Sequence, residues 1–561
     1  MSSVPEGAVR QLIGRTEFGL RRRPQETPAP TRQVGVGKNN FTRRKSGNLY
    51  LTILGAWVAL LAIAAPSLLD AISVARKGGP PVFGLVLVCT LFIAYFWLNG
   101  TKDVVYTIWY RAQRYSMLAA APRIVPTAKS PRVLLLYCTC DDFDGLSLLA
   151  SMRQNYDNFE TVILDDSQRR ESKDHIDEFA ARYGVAVARR NGRAGFKAGN
   201  LNSFLRVAAY DYFVILDSDE VIPPDFISRA LDYFQKPGTG IVQANHVARR
   251  NENRFMETFA PGVDSHWPAY QSMKQRFGFL SLLGHGAMVS RACYEAAGGF
   301  PHVVAEDLAF SIRARARGFF TEFAPDIICE EVYPVNYLAF KKRHSKWTQG
   351  NMEFIKRFSL EILKSPLTWF EKLDIVLFTY SLPLTVFFVA YLMINIVALP
   401  LLHYQAHYAA WLLVPTAVFI VAPMLNDVLE YGQIRSLPRL LHYCLHCMAL
   451  YGSMFYTSWR ASLTSLFGRS TFIVTPKSGE EIPFGIALRA NVQDLVCAGV
   501  LLAVSAMLDG SMLPCLLLAG AALASPYLTL LSNHEPTGRE LERRTAIAVV
   551  QLRSSVAALA A

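Results

Sequence analysis

Acidic side chains follow two short apolar runs of very similar sequence. One run, VILDDSQ, ends in Asp165 and Asp166, and the other, VILDSDE, ends in Asp217 and Asp219. Two carboxylates spaced as DxD at the end of a strand can hold a hard divalent ion such as Mg²⁺ or Mn²⁺ and leave positions open for phosphate oxygens. The adjacent pair is better placed to accept hydrogen bonds from a base and a ribose. The alternative interpretation is that these acids cap the helices that follow.

A glycine-rich basic stretch, NGRAGFKAGNLN, lies between the two acidic runs. Its three glycines allow the backbone to approach a ligand closely, and Arg193 and Lys197 supply positive charge. This composition suits a pyrophosphate group. An ordinary basic turn would have the same composition, so both interpretations stay open.

A further acidic pair, Glu306 and Asp307, lies between a glycine turn and an arginine-rich helical stretch. If these acids have only a structural role, their position at the start of the helix is explained by the favourable interaction of negative charge with the helix dipole. As chemistry, Asp307 is a carboxylate that could deprotonate a hydroxyl group. The stretch KKRHSKWTQGN then places Trp347 among cations and amides. Its ring could stack on a sugar, or it could simply lie at a membrane interface.

The composition indicates a membrane protein. Of 561 residues, 52% are apolar and only 18% are charged, and the mean hydropathy is positive. The net charge of +12 does not indicate nucleic-acid binding, because many basic residues lie in the first 46 residues without interleaved aromatics. This arginine-rich tail instead places the N-terminus in the cytoplasm by the positive-inside rule.

The nine cysteines have no framework spacing, so we expect reduced, buried thiols. The stretch LHYCLHC contains His442, Cys444, His446 and Cys447. It lacks a second ligand pair, so we do not expect a metal there.

Between the apolar spans, short apolar runs alternate with polar helical stretches, which predicts an α/β domain with a mostly parallel sheet. Ligands bind at the carboxyl ends of the strands in such sheets, so both acidic runs should reach one edge, and we expect them to form two neighbouring strands. The predicted order is a disordered basic tail over 1–46, two transmembrane helices over 47–100, the α/β catalytic domain over 101–350, an amphipathic interface helix over 351–372, two transmembrane helices over 373–426, interface helices with a loop over 427–489, two transmembrane helices over 490–531, and a cytoplasmic tail over 532–561.

The motifs DDS, KAGN, DSD, GHG…GGF…AED and RHSKW follow one another in this chain. In this order they resemble the membrane-embedded, processive branch of glycosyltransferase family 2, which includes cellulose, curdlan, hyaluronan and osmoregulated-glucan synthases. The resemblance covers about 131–480. It implies a cytoplasmic GT-A (Rossmann-like) glycosyltransferase domain inserted between transmembrane helices.

The resemblance assigns a role to each acid of the two runs. Asp165 and Asp166 would bind the uracil and ribose of the nucleotide, and Lys197 would contact the nucleotide sugar. Asp217 and Asp219 would bind Mg²⁺ or Mn²⁺ together with the diphosphate.

The downstream motifs imply the catalytic base and the acceptor contacts. Asp307 resembles the general base, with Glu306 beside it, and Trp347 resembles the residue that stacks under the acceptor sugar. Arg343 and Lys346 would contact the phosphates, although Lys346 stands where the family has an arginine and cannot reproduce its bidentate fork. His285 of GHG is included among the substrate-binding residues.

The stretch STFIVTPK matches the FxVTxK gating loop of cellulose synthases through Phe472, Val474, Thr475 and Lys477. Such a loop covers the nucleotide, so it must be cytoplasmic. That location favours an interfacial position for 439–466 and six membrane spans in all.

The expected function is an inverting, processive and metal-dependent polysaccharide synthase in a bacterial plasma (inner) membrane, with its catalytic domain in the cytoplasm. Its partners would be a UDP-sugar donor, a polysaccharide acceptor and the lipid bilayer, with an accessory or regulatory subunit left open. UDP-glucose and a β-glucan product are the first choice. The alternatives are a transferase that adds one sugar to a lipid or glycan, and a non-catalytic nucleotide-binding transporter or structural protein.

Overall fold

The computed structural model describes residues 45–118, 130–249, 251–381, 385–432, 435–467 and 481–536. These residues divide into two compact units. The sheet unit comprises Ala120–His246 and Leu280–Glu331, and the helical unit comprises Lys45–Ala119, Val247–Phe279 and Val332–Ala561, each over its described residues.

A single seven-stranded sheet forms the core of the sheet unit. Its strands are β1 (Val133–Thr139), β2 (Phe159–Asp165), β3 (Ala186–Arg189), β4 (Tyr212–Asp217), β5 (Thr239–Ala248), β6 (Ala287–Ser290) and β7 (Phe320–Glu331). Their order across the sheet is β3-β2-β1-β4-β6-β5-β7. The first four strands in this order are parallel, and β6 is antiparallel to both β4 and β5. The sheet is therefore mixed, with the parallel half that the sequence predicts.

The strands are continuous apolar runs because both faces of the sheet are covered. Leu135 and Val214 belong to one buried cluster, while their chain neighbours Leu136 and Phe213 belong to another. Successive side chains of a strand point to opposite faces, so each face has its own core. This two-sided burial confirms the predicted α/β class, with the acidic residues placed where the apolar runs end.

The helices of both units are numbered in chain order. They are α1 (Asn48–Arg76), α2 (Pro80–Met117), α3 (Gly145–Ser151), α4 (Arg170–Tyr183), α5 (Phe196–Leu205), α6 (Phe226–Phe234), α7 (Arg254–Phe277), α8 (Arg291–Ala297), α9 (Glu306–Ala316), α10 (Tyr337–Lys364), α11 (Trp369–Thr379), α12 (Thr385–Met393), α13 (Leu399–Leu401), α14 (Leu413–Val421), α15 (Leu425–Tyr431), α16 (Leu437–Gly452), α17 (Phe455–Phe467), α18 (Phe484–Met507) and α19 (Met512–Leu530).

Five helical segments of the described residues are long and apolar enough to cross a bilayer. They are Asn48–Arg76, Pro80–Arg114, Ala410–Tyr431, Phe484–Met507 and Met512–Asn533. The sequence predicts a sixth span within 373–402. There the structure has α11 and then a shorter apolar helical stretch, Thr385–Leu401. The number of membrane crossings therefore stays a prediction.

The segment 439–466, predicted to lie at the interface, forms two helices, α16 and α17. The His446 ring contacts the carbonyl of His442 at 3.0 Å and the Tyr527 hydroxyl at 3.1 Å. Both ring nitrogens of His446 therefore contact protein groups. All nine cysteines of the chain are free thiols.

Helix α7 belongs to the helical unit although its sequence lies between β5 and β6. The Lys274 ammonium donates to both Asp374 oxygens at 3.1 Å, and the same carboxylate accepts from the Phe279 backbone at 2.7 Å. Tyr270 and its neighbours pack into the same buried cluster as α1 and α2. Residues 101–118, 247–279 and 332–350, which the sequence prediction included in a catalytic domain over 101–350, group with the helical unit over their described residues.

Gly100 of α2 provides a test of helix packing in the helical unit. A Cβ atom at this position would lie 2.1 Å from the Phe419 Cβ, whereas a Cβ at Gly84 of the same helix would meet nothing within 4 Å. We expect Gly100→Ala to destabilise the protein by about 1–3 kcal/mol through overpacking. Gly84→Ala should leave stability unchanged or raise it by up to about 1 kcal/mol. Thermal unfolding in detergent measures both, and equal melting temperatures would contradict the close contact.

Candidate active site

Strand register brings both acidic runs to one edge of the sheet. Asp165 ends β2 opposite Thr139, and Asp217 ends β4 opposite Cys138. Strand β1 lies between them, so the prediction that the two similar runs form neighbouring strands is wrong. The carboxyl ends of three parallel strands therefore meet where ligands bind in open α/β sheets.

The two carboxylates after β2 are both bound by arginines that the sequence analysis did not single out. Asp165 is buried and accepts from Arg189 Nε at 2.6 Å and from the Ser167 backbone at 2.8 Å. Asp166 accepts a bidentate pair from Arg190, with Nε at 2.9 Å and Nη2 at 2.7 Å. The only signal in the sequence is the pair of arginines at the end of β3, which resembles any exposed basic pair.

Arg190 also orders the glycine-rich stretch. Its guanidinium donates to the carbonyls of Ala194 at 2.7 Å and Phe196 at 2.8 Å. Gly195, between them, has a φ of +74° and precedes the first residue of α5, a conformation that glycine adopts without strain. The Asp166 carboxylate is thus linked through one side chain to the loop that leads into Lys197.

Lys197 is the cation at the centre of this edge. Its ammonium donates to Asp217 Oδ1 and, at 2.9 Å, to the Gly284 carbonyl. Burial disfavours the charged amine, but the attraction of Asp217 outweighs it, so the pKa of Lys197 lies above its ordinary value. Lys197 therefore remains protonated and could bind phosphate oxygens.

The DxD turn is held by contacts around Ser218. The Ser218 hydroxyl donates to Asp142 Oδ2 at 2.7 Å, and the Tyr137 hydroxyl donates to the Ser218 carbonyl. Asp142 in turn accepts from the Cys140 backbone at 2.8 Å. Asp142, which the sequence analysis missed, thus brings a further carboxylate to the Ser218 side chain of this turn.

Asp307 lies in the first turn of α9, one residue after Glu306. A Cβ at Gly284, whose φ is +87°, would lie 3.3 Å from Asp307 Oδ2, so the carboxylate approaches the backbone of this loop closely. Burial raises the pKa of Asp307, and the hydrogen bond from the Leu308 backbone at 2.7 Å and the Lys197 charge oppose the rise. A carboxyl with a raised pKa suits a general base.

Two glutamates and two histidines form a buried cluster, whose first member directly follows the DxD turn in sequence. Sequence reasoning missed three of the four residues. The cluster consists of Glu220, His246, His285 and Glu331. His285 Nδ1 lies 3.4 Å from Glu220 Oε1, and its Nε2 lies 3.3 Å from Glu331 Oε2. Burial lowers the pKa of His285, but Glu220 and Glu331 overcome this and raise it to about 10. The predicted substrate-binding role of His285 remains untested, and its ring lies between two carboxylates.

The remaining predicted residues belong to the helical unit or lie outside the described residues. Arg343, Lys346 and Trp347 lie on α10. The Arg343 guanidinium is 4.4 Å from the centre of the Trp347 ring, and that ring is 43% exposed. The loop residues Phe472, Thr475 and Lys477 lie outside the described residues.

Comparisons with known proteins identify relatives of the chain. Residues 212–425 match the family model described as "Glycosyl transferase family group 2". The beta-monoglucosyldiacylglycerol synthase of Synechocystis sp. is 28% identical over 244 residues, which are 42% of this chain and 50% of that protein. The probable glucomannan 4-beta-mannosyltransferase 10 of Arabidopsis thaliana is 26% identical over 227 residues, which are 38% of this chain and 41% of that protein. The chain thus spans half or less of the length of these two relatives.

Among solved structures, a mannosyltransferase from Pyrobaculum calidifontis in complex with GDP-Man and Mn²⁺ shares 19% sequence identity with the chain. The TM-score is 0.41, and the match covers 68% of this chain and 99% of that one.

Arg190 provides a test of the ordered edge. Arg190→Lys keeps the charge but removes the fork that binds Asp166 and the two carbonyls, so we expect a loss of about 1–3 kcal/mol of stability. Thermal unfolding in detergent measures the loss. Arg170→Lys is the matched control, because Arg170 is 93% exposed and forms only a 3.7 Å ion pair with Asp174 in the described structure. Equal melting temperatures for the two variants would contradict the role of Arg190.

Proposed function

We propose that this chain, which carries a glycosyltransferase family 2 domain, transfers a sugar from a nucleotide-sugar donor to an acceptor hydroxyl with inversion of configuration. The observation that carries the proposal is that Lys197 binds both Asp217 and the Gly284 carbonyl, and that Asp307 lies beside the same glycine. One edge of the sheet thus carries Lys197 as a cation for phosphate, Asp217 as a metal-binding acid and Asp307 as a candidate base.

The donor is UDP-glucose in the first instance. Asp165 and Asp166 accept hydrogen bonds from the nucleoside. A carboxylate has about four lone-pair sites for hydrogen bonds, and the arginines bound to these two residues do not use all of them. Lys197 binds the diphosphate and stabilises the charge that develops on the departing nucleotide.

The acids of the DxD turn fit a divalent cation. Asp217 and Asp219, with Asp142 nearby, offer hard oxygen donors, which Mg²⁺ and Mn²⁺ prefer. When bound, such an ion neutralises charge on the diphosphate. Lys197 already lies on one oxygen of Asp217, so this residue would share its carboxylate between the two cations.

Asp307 takes the proton from the acceptor hydroxyl. Its place in the first turn of α9 favours the ionised form through the helix dipole, while burial raises its pKa. The carboxylate is therefore more basic than that of an exposed aspartate, which suits it to accept a proton. Glu306 beside it adds negative charge near Lys197.

The acceptor is a growing β-glucan chain, and Trp347 stacks on its terminal sugar. An exposed indole with a guanidinium over its ring presents a flat apolar surface of the kind that sugar rings contact. Arg343 and Lys346 supply cations for the phosphates. The protein would be a processive synthase that moves its product across a bacterial inner membrane, with Phe472, Thr475 and Lys477 gating the nucleotide site on the cytoplasmic side.

A second candidate is the addition of one glucose to a membrane lipid. The similarity to a beta-monoglucosyldiacylglycerol synthase favours it. The two candidates share the donor and the base and differ in the length of the product. Product size therefore decides between them.

Asp307→Asn tests the catalytic base. The amide cannot accept the proton, so we expect release of nucleoside diphosphate to fall by about 100-fold or more. The assay uses membranes that contain the full chain, with UDP-glucose and then GDP-mannose as donors and with Mg²⁺ or Mn²⁺. Asp174→Asn, at an exposed position of α4, is the control and should keep full activity.

The pH dependence of kcat is a second measurement of the role of Asp307 as the catalytic base. Because Asp307 must be ionised, the rate falls as pH drops through its pKa, and burial places this limb above the ordinary aspartate value of about 4. The residual rate of the Asn variant should lack the limb. A variant that turns over at the wild-type rate would contradict the assignment.

Trp347→Ala tests the acceptor site. Loss of the stacking surface should shorten the product, and Trp347→Phe should retain most of the length because a flat ring remains. Chromatography of the labelled product measures the size. Trp369→Ala is the control, since this tryptophan on α11 is similarly exposed, at 49%. Products of one sugar from the wild type would support the lipid transferase, and an unchanged long product from Trp347→Ala would contradict stacking.

A further inference from the structure

The buried cluster after the DxD turn joins four separate parts of the sheet unit. Glu220 follows β4, His246 lies in β5, His285 precedes β6, and Glu331 ends β7. The side chains of Glu220 and His246 are fully buried. Chain segments that are distant in sequence therefore meet through these polar side chains inside the core, where burial without a strong partner is costly.

The distances between the donor atoms are those of a small coordination site. Glu220 Oε1 lies 3.4 Å from His285 Nδ1 and 3.7 Å from His246 Nδ1, and one atom from each of the three residues lies within 4.8 Å of the others. Glu331 Oε2 lies 3.9 Å from His246 Nδ1. Ligands at about 2.0–2.1 Å in a tetrahedron are about 3.3–3.4 Å apart, so a small inward movement completes such a site.

The charge of the cluster favours a cation. Two carboxylates and two histidines are buried together, and a divalent ion bound in place of the ring protons would offset the charges of both carboxylates. Among the described residues, Glu220 Oε1 and His285 Nδ1 are buried without a hydrogen bond of normal geometry.

Gly286 lets the backbone approach the cluster more closely than a residue with a side chain could. A Cβ at Gly286, whose φ is +57°, would lie 2.4 Å from Glu220 Oε1 and from the His246 ring. Gln243 forms the surrounding layer. Its amide contacts His246 Nε2 at 3.2 Å and the His285 carbonyl at 3.0 Å, and its oxygen accepts from the Leu283 backbone at 2.9 Å.

We propose that Glu220, His246 and His285 hold a divalent cation, with zinc as the best match to their donor atoms, and that Glu331 orients the His285 ring by accepting from its Nε2. Mixed nitrogen and oxygen donors suit zinc, whereas the oxygen-only set of Asp217 and Asp219 suits Mg²⁺ or Mn²⁺. The two sites are therefore distinct in chemistry although they are adjacent in the chain.

The ion would fix the loop that the candidate active site depends on. His285 follows Gly284, whose carbonyl accepts from Lys197 and whose backbone lies beside Asp307. Glu220 follows Asp219 and accepts from the Gly286 backbone at 3.0 Å. An ion bound to Glu220 and His285 would thus hold the DxD turn and the 284–286 loop in one arrangement without touching the sugar donor.

Protons on the histidine rings compete with a metal ion for the same nitrogen atoms. The Gln243 amide nitrogen faces His246 Nε2, and the carboxylates on both sides of His285 can accept its ring protons. Ion binding has to displace protons from both rings and turn the Gln243 amide. The metal content of the purified protein decides between ion and protons.

The test measures bound metal and does not depend on sugar transfer. The full chain is purified in detergent without added metal, and zinc is quantified by elemental mass spectrometry before and after equilibration with ZnCl₂ and gel filtration. We expect about one zinc per chain in the wild type. His246→Asn and His285→Asn should lower the affinity at least tenfold in competition with a chromogenic chelator. His407→Asn, an exposed histidine of the helical unit, and Asp219→Asn should both retain the zinc.

Cobalt provides a second measurement on the unaltered protein if the histidine variants fail to fold. Co²⁺ loaded into the wild type should give the intense visible absorption of a four-coordinate nitrogen and oxygen site, and zinc should displace it. A wild-type protein that binds no zinc and gives only the weak spectrum of hydrated cobalt would overturn the proposal. Sugar transfer without bound zinc would overturn it as well and leave the proposed function intact.

Discussion

The ammonium of Lys197 is the contact on which the candidate active site depends. It links α5 to the end of β4 through Asp217 and to the loop before β6 through the Gly284 carbonyl. These three pieces are far apart in sequence, and a buried cation is stable only when acceptors surround it. The charge that would bind a diphosphate is thus the same charge that holds the pocket in shape. Any ligand at Asp217 has to share this carboxylate with Lys197.

The sheet edge as a whole follows one electrostatic rule, in which each acid after a strand has its own cation or donor. Arg189 and Arg190 serve the acids after β2, and Lys197 serves the first acid of the DxD turn. Because the charges are balanced within the protein, the edge is ordered before any nucleotide arrives. Asp307 differs, since its close contacts are a backbone amide and a glycine loop. It is the acid assigned to proton transfer.

The sequence predicted the α/β class, the strand ends and the acids on them, because an apolar run that stops at a polar group is a local signal. It did not predict that β1 lies between the two similar runs, nor that Arg189 and Arg190 bind the acids of the first run. Strand order and ion pairing depend on contacts between distant residues, which leave no periodic pattern. The buried glutamate and histidine cluster escaped prediction for the same reason. The role of Trp347 was inferred from a motif and stays a prediction.

The assignment of α7 to the helical unit has a consequence for how the chain is made. Helices α1 and α2 leave the ribosome long before their partner α7, and most of the sheet unit is synthesised in between. The helical unit therefore depends on contacts of long sequence separation, which slow folding. It also cannot complete its core until the chain has passed through β5. A protease cut between 247 and 279 would separate β5 from β6 and would also break the chain within the core of the helical unit. Neither unit can be isolated as one continuous fragment, because each consists of several chain segments.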